Sequence, residues 1–237
     1  MNAFDSNLLC FLNHFAGKHW LFDRIASFVC NSPLRGAVIV AILWWLWFRK
    51  GQSQDRDRAF ILSGSAASIA ALFVARCLAL LLPFRYRPFS VAALHLHAPS
   101  GGQSTALLHW SSFPSDHAVL DFALATCIYF VSRKIGLLTY LYVFFIICLP
   151  RVYLGIHYPT DVLAGAALGI GFTSLTLIGR FRALLVRGPL RWLESSPGGF
   201  YAAFYLASFM LTTQFDPLRD AANSAWHVIK QTAIFLL

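Results

Sequence analysis

The sequence predicts an all-α membrane protein, a polytopic helical bundle with about six transmembrane helices, and two observations support this fold class. Of the 237 residues, 58% are hydrophobic and only 12% are charged, with a mean hydropathy of +0.62. A soluble domain could not cover its surface with so few charges. In addition, mostly apolar runs of about 15 to 24 residues recur along the chain, and each suits a helix that crosses a bilayer core of roughly 30 Å.

Six spans are the most economical interpretation of these apolar runs. They cover residues 36–48, 59–82, 117–132, 136–154, 162–178 and 200–215. The first and the last are short enough to be re-entrant or interfacial helices instead, and residues 221–237 could add another membrane contact. The expected number of spans is therefore between about five and seven.

Residues 1–31 do not resemble a signal peptide, because they lack a basic start and a continuous apolar core. Polar side chains interrupt the segment at Asp5, His14, Lys18, Asp23 and Arg24. We expect one or two amphipathic helices that lie at the membrane interface. The chain then divides into this N-terminal segment (residues 1–35), a transmembrane domain (36–215) and a C-terminal tail (216–237) that could also contact the membrane.

Basic residues in three short loops set the expected orientation, since Lys and Arg concentrate on the cytoplasmic side. These are Arg49, Lys50, Arg56 and Arg58, then Arg133 and Lys134, and finally Arg180, Arg182, Arg187 and Arg191. The remaining loops then face the periplasm or the cell exterior, and they carry the polar clusters described below. Arginines near anionic lipid headgroups explain the net charge of +9. Because no motif resembles a nucleic-acid-binding module, we expect no nucleic-acid partner.

The segment from Arg151 to Asp161 has the pattern Arg-x5-His-x3-Asp, which suits nucleophilic attack on a phosphate. Pro159 fits the first turn of a helix, so His157 lies just outside it and the Asp161 carboxylate can turn back toward the imidazole. A carboxylate bonded to one ring nitrogen fixes the tautomer and leaves the other nitrogen as a nucleophile. Arg151 can offer a planar fork to phosphate oxygens. The alternative is a surface histidine beside a chance salt bridge.

The second cluster, Pro114-Ser115-Asp116-His117, lies at the start of a predicted helix. Backbone N–H groups and the helix dipole create an anion site there, and His117 beside it could protonate a leaving-group oxygen. Ser115 could instead serve only as a helix cap. Asp121, one turn further on, could orient His117, or it could be an interfacial carboxylate solvated by water.

A third cluster, of arginines, follows the second predicted span. Arg85 and Arg87 lie just beyond Pro83, and Arg76 lies within the span, where an unpaired charge would cost about 2.5–3.5 kcal/mol. Arg76 could therefore share a polar site with Arg87, or it could snorkel to the interface. The polar loop that follows, residues 83–112, is long enough to form a lid or rim over a site.

Together the three clusters resemble the signature of the type 2 phosphatidic acid phosphatase (PAP2) superfamily, which also includes vanadium haloperoxidases. The signature reads K-x6-R-P, P-S-G-H and S-R-x5-H-x3-D, and its order and spacing match from Arg76 to Asp161. The second motif, here F-P-S-D-H-A, is most similar to that of bacterial members that act on undecaprenyl diphosphate. The resemblance implies the helical core of this superfamily and a location in the bacterial inner membrane.

The resemblance also implies a role for each matching residue. His157 would attack phosphorus to form a phosphohistidine, Asp161 would orient it, and His117 would protonate the departing oxygen. The groups expected to bind phosphate are Arg87, Arg151 and Ser115, with Arg76 and Arg85 as further candidates. Such donors stabilise the charge that develops on phosphoryl oxygens. No metal or other cofactor is implied, and the expected partners are a lipid phosphate substrate and membrane lipids.

Three positions depart from the signature. Leu80 stands where the superfamily has its lysine, which alters the cationic part of the first motif, and Arg76 or Arg85 could substitute. Asp116 replaces the glycine of the second motif, and Pro150 replaces the serine of the third. We expect the first departure to affect phosphate binding most.

The leading hypothesis is a metal-independent lipid phosphatase that converts undecaprenyl diphosphate to undecaprenyl phosphate at a site facing the periplasm. Phosphatidylglycerol phosphate, phosphatidate and lipid A phosphates are alternative substrates. A second hypothesis is a phosphotransferase, in which a lipid or sugar hydroxyl accepts the phosphoryl group from His157. A third is a non-catalytic protein that binds lipid phosphates and has lost activity with the lysine. A soluble haloperoxidase is less consistent with so apolar a chain.

Overall fold

The computed structural model describes residues 2–97 and 110–218, together with residues 221 and 224. Within these residues the chain forms helices and no β-strand, which confirms the all-α prediction. The helices are α1 (Ala3–Asn13), α2 (Trp20–Asn31), α3 (Leu34–Phe48), α4 (Gln54–Leu81), α5 (Asp116–Val131), α6 (Arg133–Tyr142), α7 (Leu149–Tyr153), α8 (Pro159–Ser174), α9 (Gly179–Ser195) and α10 (Pro197–Thr212). Part of the predicted lid loop and most of the predicted C-terminal tail lie outside the described residues.

Helix α5 forms the centre of the bundle and packs against α4, α6 and α8. Most of its side chains are buried, as expected for a helix that is surrounded by protein. Two glycines of α8 allow a close approach to α5. A β-carbon at Gly165 would lie 2.6 Å from the Ser115 carbonyl oxygen, and one at Gly169 would lie 2.2 Å from that of Val119. Any larger residue at these positions would push apart the two helices that begin at the second and third motifs.

The helix that runs from α6 to α7 contains a π-helical segment, Val143–Cys148, shortly before Pro150. Proline has no backbone N–H, and its ring clashes with the preceding turn of an α-helix. A wider π turn relieves this crowding. Helix α7 ends at Tyr153, and Gly155 adopts a positive φ of 68°, which turns the chain toward α8. This turn places His157 between the two helices.

Among the described residues, three helical stretches are long and apolar enough to cross a membrane: Gln54–Leu81, Arg133–Tyr153 and Pro159–Leu177. Helices α2 and α3 pass the same test together, with a bend of 56° between them, and they count as a fourth span if the bent pair crosses as one unit. Each of the six predicted spans coincides with a helix, but α5 and α10 contain only 16 residues each. Six membrane crossings therefore stay a prediction.

The two N-terminal helices turn polar side chains toward the protein and apolar side chains outward. Asp5, Asn13 and Asp23 are buried, whereas Phe11 and Trp20 are 63% and 68% exposed. This inverted pattern suits helices that pack on a protein within an apolar environment. Helix α1 packs against α7 and α8, and α2 packs against α7. The N-terminal segment is thus attached to the helices that flank the third motif.

Candidate active site

Backbone hydrogen bonds join the motif segments at one end of the bundle. The Ser115 N–H donates to the Asp161 carbonyl oxygen at 3.1 Å, which links the second motif to the third. The Ser112 N–H donates to the Arg85 carbonyl oxygen at 2.9 Å, which links the first motif to the segment before the second. Segments far apart in the chain are therefore fixed together without the help of a ligand.

His157 is almost completely buried, with 4% of its surface exposed. Its Nδ1 atom lies 2.9 Å from the Ser112 carbonyl oxygen. Because a carbonyl oxygen can only accept, Nδ1 carries the proton and Nε2 keeps the lone pair that a nucleophile needs. Arg87 Nη1 lies 3.4 Å from that Nε2 atom. Ser112 was not predicted as a site residue, and it supplies the acceptor expected from Asp161.

Asp161 lies beside the imidazole, as the motif predicts, but the predicted hydrogen bond between them does not form. Its Oδ2 atom lies 3.7 Å from His157 Nδ1, beyond hydrogen-bond range. That oxygen instead accepts from the Tyr158 N–H at 2.8 Å, as a carboxylate in the first turn of a helix often does. The Oδ1 atom accepts from the Arg85 guanidinium. Asp161 therefore acts on His157 through its charge and through the backbone that it holds.

Arg85 lies between two carboxylates and above an aromatic ring. Its Nη2 atom is 2.7 Å from Asp5 Oδ2, it also contacts Asp161, and its guanidinium carbon lies 4.1 Å from the centroid of the Tyr158 ring. Asp5 in turn accepts from the Thr160 N–H at 2.9 Å and from the Thr160 hydroxyl at 2.7 Å. The structure places Arg85 in a network that supports the start of α8, with its charge balanced by protein carboxylates.

Two other arginines are buried at the site. Arg87 is 7% exposed and donates through Nη1 to the Ile156 carbonyl oxygen at 3.1 Å. Arg151 is 4% exposed and donates through Nη2 to the Cys30 carbonyl oxygen at 3.1 Å. Arg151 bonds to a neutral carbonyl, and its Nε–H has no partner among the described residues, which favours a bound anion at this guanidinium.

Burial has a direct effect on the protonation of the nucleophile candidate. It lowers the pKa of His157, and the charges of Arg87 and Arg151 lower this pKa further, while Asp161 opposes them. Burial also lowers the pKa of Arg87 to about 10, which leaves this arginine charged at neutral pH. The combination is a neutral imidazole beside permanent cations, as attack on a phosphate requires.

Several buried polar atoms of the site have no hydrogen-bond partner within the described part of the chain. They are Ser112 Oγ, Ser115 Oγ, Asp121 Oδ2 and Arg151 Nε. The Ser115 side chain does not cap α5, so the alternative of a simple helix cap does not hold. Unpaired buried groups are costly, and a ligand would satisfy them. Across the same described residues, no group of three or more His, Cys, Asp or Glu side chains is placed to hold a metal ion.

His117 faces a residue that was not predicted to belong to the site. Its Nε2 atom lies 2.5 Å from Nη2 of Arg35, which lies at the start of α3 and is 8% exposed. A guanidinium can only donate, so Nε2 of His117 carries no proton in this arrangement. Asp121, one turn below, is 2% exposed, which overturns the alternative of a carboxylate solvated by water.

The model of the PAP2 superfamily matches residues 64–184, a range that contains all three motifs. The chain belongs to the PAP2 superfamily. It is therefore a phosphatase, and its long apolar helices make it a membrane protein.

Relatives within the superfamily are similar over most of their length. The chain is 31% identical over 168 residues to undecaprenyl-diphosphatase BcrC of Bacillus subtilis (strain 168), covering 70% of this chain and 77% of the relative. It is 30% identical over 164 residues to the putative undecaprenyl-diphosphatase YbjG of Escherichia coli (strain K12), with coverages of 67% and 74%. It is 24% identical over 160 residues to the bacitracin transport permease protein BcrC of Bacillus licheniformis, with coverages of 68% and 72%. No solved structure matches the chain.

The two departures from the PAP2 signature in the first and second motifs are connected in space. Leu80, at the lysine position, is 82% exposed on the outer surface of α4. Arg76 lies one turn earlier, where it forms an ion pair of 2.8 Å with Asp116, the residue in place of the PAP2 glycine. Its guanidinium carbon also lies 5.3 Å from the centroid of the Trp110 ring. Arg76 and Asp116 therefore balance each other in charge.

Proposed function

We propose that this PAP2 protein hydrolyses undecaprenyl diphosphate to undecaprenyl phosphate and inorganic phosphate at a site facing the periplasm. The two relatives named as undecaprenyl-diphosphatases support the substrate. The basic loops at the opposite end of the bundle support the orientation. The observation that carries the reaction is a buried His157 whose Nδ1 is bonded to a carbonyl and whose Nε2 faces Arg87.

In the first step, Nε2 of His157 attacks the terminal phosphorus, and the bond between this phosphorus and the bridging oxygen breaks. The bridging oxygen takes a proton from His117, and undecaprenyl phosphate leaves. The Nδ1–H···O bond to Ser112 stabilises the positive charge that the ring acquires. Arg87 and Arg151 stabilise the charge on the phosphoryl oxygens, which is largest in the transition state.

In the second step, a water molecule attacks the phosphohistidine and gives a proton to His117, and inorganic phosphate is released. The Ser115 hydroxyl and the Arg151 Nε–H, which have no partner among the described residues, bind the phosphoryl group in both steps. Asp161 and Arg85 keep the start of α8 in place, so that His157 returns to the same position after each turnover.

Phosphate release by the purified protein in detergent with EDTA tests this proposal. We expect wild-type protein to act on undecaprenyl diphosphate in preference to phosphatidate, phosphatidylglycerol phosphate and a lipid A phosphate. His157→Ala should be slower by about 10³-fold or more, since the covalent route is lost. His14→Ala, which removes the exposed histidine that follows the last residue of α1, is the matched control and should keep wild-type activity.

Two results would refute parts of the proposal. Near-normal turnover by His157→Ala would remove the nucleophile assignment. A clear preference for one of the other three lipids would remove undecaprenyl diphosphate as the substrate while leaving the reaction type intact. Acid-labile label trapped from a terminally labelled diphosphate, and absent from His157→Ala, would give direct support for the phosphohistidine.

A further inference from the structure

We propose that Arg35 and His117 form a second phosphate subsite, which binds the lipid-side phosphate of a diphosphate substrate. The inference rests on the proposed function and adds a structural reason for preferring a diphosphate over a phosphate monoester. Arg35 lies outside residues 64–184, the range that matches the PAP2 superfamily, so the signature does not include it.

The first argument concerns the cation that the signature expects at position 80. Leu80 is 82% exposed and faces away from the bundle. Arg76 is paired with Asp116, and Arg85 is paired with Asp5 and Asp161. By contrast, Arg35 forms no ion pair with any carboxylate among the described residues. The charges of Asp121 and Asp216 act on Arg35 without a direct ion pair, so this buried guanidinium is the group best suited to replace the missing lysine.

The second argument concerns the position of Arg35 relative to the phosphate-binding arginine of the third motif. Arg35 Nη1 donates to the Ser32 carbonyl oxygen at 2.5 Å, and Arg151 Nη2 donates to the Cys30 carbonyl oxygen at 3.1 Å. The two guanidinium groups thus bond to carbonyls two residues apart at the end of α2. The Tyr142 hydroxyl donates to the Arg35 carbonyl oxygen at 3.1 Å and holds the start of α3 against the central bundle.

The third argument is the contact between Arg35 and His117, which is 2.5 Å long. A histidine that gives a proton to a leaving oxygen must carry that proton, and a guanidinium cannot share Nε2 with it. An anion placed between the two side chains accepts from both, and it favours protonation of the imidazole. A phosphate that binds between the two side chains would replace the direct contact between Arg35 and His117.

The reaction places a phosphate at this location. When His157 attacks the terminal phosphorus, the bridging oxygen points toward His117, which supplies its proton. In a diphosphate the lipid-side phosphate follows directly after that oxygen, within reach of Arg35, whereas a monoester has an uncharged carbon there. A cavity of about 370 Å³ lies beside Arg35 and is lined also by Asn31, Thr212 and the carboxylate residue Asp216, while His117 lies on the other side of the guanidinium contact and does not line it. Arg35 thus gains a charged partner from a diphosphate alone.

Hydrolysis of farnesyl diphosphate and farnesyl phosphate by Arg35→Gln tests the subsite, because the two substrates differ only in one phosphate. We expect the ratio of kcat/KM for the diphosphate to that for the monophosphate to fall by about 10- to 100-fold, the effect of losing a charge-assisted contact. Arg35→Lys keeps the charge and should recover part of the ratio. Arg49→Gln removes an arginine at the other end of α3, where it pairs with Asp57, and should leave the ratio unchanged.

A fall of equal size in kcat/KM for both substrates in Arg35→Gln, which leaves their ratio unchanged, would overturn the subsite.

Calorimetric binding of inorganic pyrophosphate and inorganic phosphate adds a measurement that does not need turnover. Wild-type protein should bind pyrophosphate at least about 10-fold more tightly, and Arg35→Gln should lose this difference. Equal binding of the two anions by wild-type protein would overturn the subsite even if hydrolysis is observed. Preferential pyrophosphate binding without hydrolysis would instead refute the phosphatase proposal.

Discussion

The two histidines of the site have opposite surroundings. His157 donates to a backbone carbonyl and lies 3.7 Å from a carboxylate, and that carboxylate is held by further hydrogen bonds. His117 faces the guanidinium of Arg35, and Ser115 Oγ, two residues before it, has no partner among the described residues. The His157 side is therefore held by hydrogen bonds within the protein. His117 faces a cation, and the Oδ2 atom of the buried Asp121, one turn below it, has no partner among the described residues.

In the proposed mechanism, this difference combines a nucleophile of fixed orientation with an acid whose protonation the substrate controls. A nucleophile benefits from a single orientation, which a rigid network provides before the substrate arrives. A proton donor must lose and regain a proton in each cycle, and substrate charge can control this if the protein leaves it unbalanced. The predictions below test the two sides separately.

The largest effect should come from His117→Ala on a substrate with a poor leaving group. We expect kcat for undecaprenyl diphosphate to fall by about 10²- to 10⁴-fold, because the leaving oxygen must depart without a proton. The loss should be much smaller for p-nitrophenyl phosphate, whose leaving group is stable as an anion. The test compares kcat of wild-type protein and of His117→Ala for both substrates. Equal losses would show that His117 binds substrate and does not protonate it.

A smaller effect should come from Asp5→Asn, which weakens the network behind His157. Asp5 is fully buried and pairs with Arg85, so the variant should lower the melting temperature and reduce kcat by about 10-fold, with little change in KM. Thermal unfolding and steady-state kinetics measure both quantities. Asp55→Asn, at an exposed position of α4, is the control. A large rise in KM at unchanged stability would place Asp5 and Arg85 on the substrate-binding side instead.

The pH dependence of kcat/KM should report the protonation of His157. Because burial lowers the pKa of His157, the neutral nucleophile persists as the pH falls below the ordinary histidine value of about 6.5, and kcat/KM should decline only at lower pH. Arg87→Leu removes a cation that helps to lower this pKa, so the acid limb of the kcat/KM profile should move to higher pH. An acid limb that keeps its position in Arg87→Leu would show that another group controls it.

The smallest effect should come from Leu80→Lys, which restores the PAP2 lysine. Because position 80 faces away from the bundle, the new charge should be screened from the site, and kcat/KM for undecaprenyl diphosphate should stay within about twofold of wild type. Steady-state kinetics of this variant alone and combined with Arg35→Gln provide the measurement. If Leu80→Lys rescued Arg35→Gln, α4 would reach the site and the subsite would need a different geometry.

Local patterns were sufficient to predict that the residues of the third motif lie close together. One turn and the first turn of one helix fix their relative positions. Arg151, His157 and Asp161 lie within a single short segment. The His157 N–H donates to the Arg151 carbonyl oxygen at 3.3 Å, and Asp161 Oδ2 lies 3.7 Å from His157 Nδ1. The same reasoning failed for Arg35 and Asp5. Arg35 meets His117 across 82 residues and Asp5 meets Thr160 across 155, and neither position carries a local signal that distinguishes it from a solvated charge.

Composition by itself determined that this is a helical membrane protein, because hydrophobicity and helical periodicity act locally along the chain. The resemblance of its three motifs to the PAP2 signature predicted the family. Tertiary structure alone decided which groups pair. The acceptor for His157 is Ser112 at 2.9 Å and not Asp161 at 3.7 Å. Hydrogen bonds and ion pairs depend on differences below one ångström, and helix packing between distant segments sets those distances.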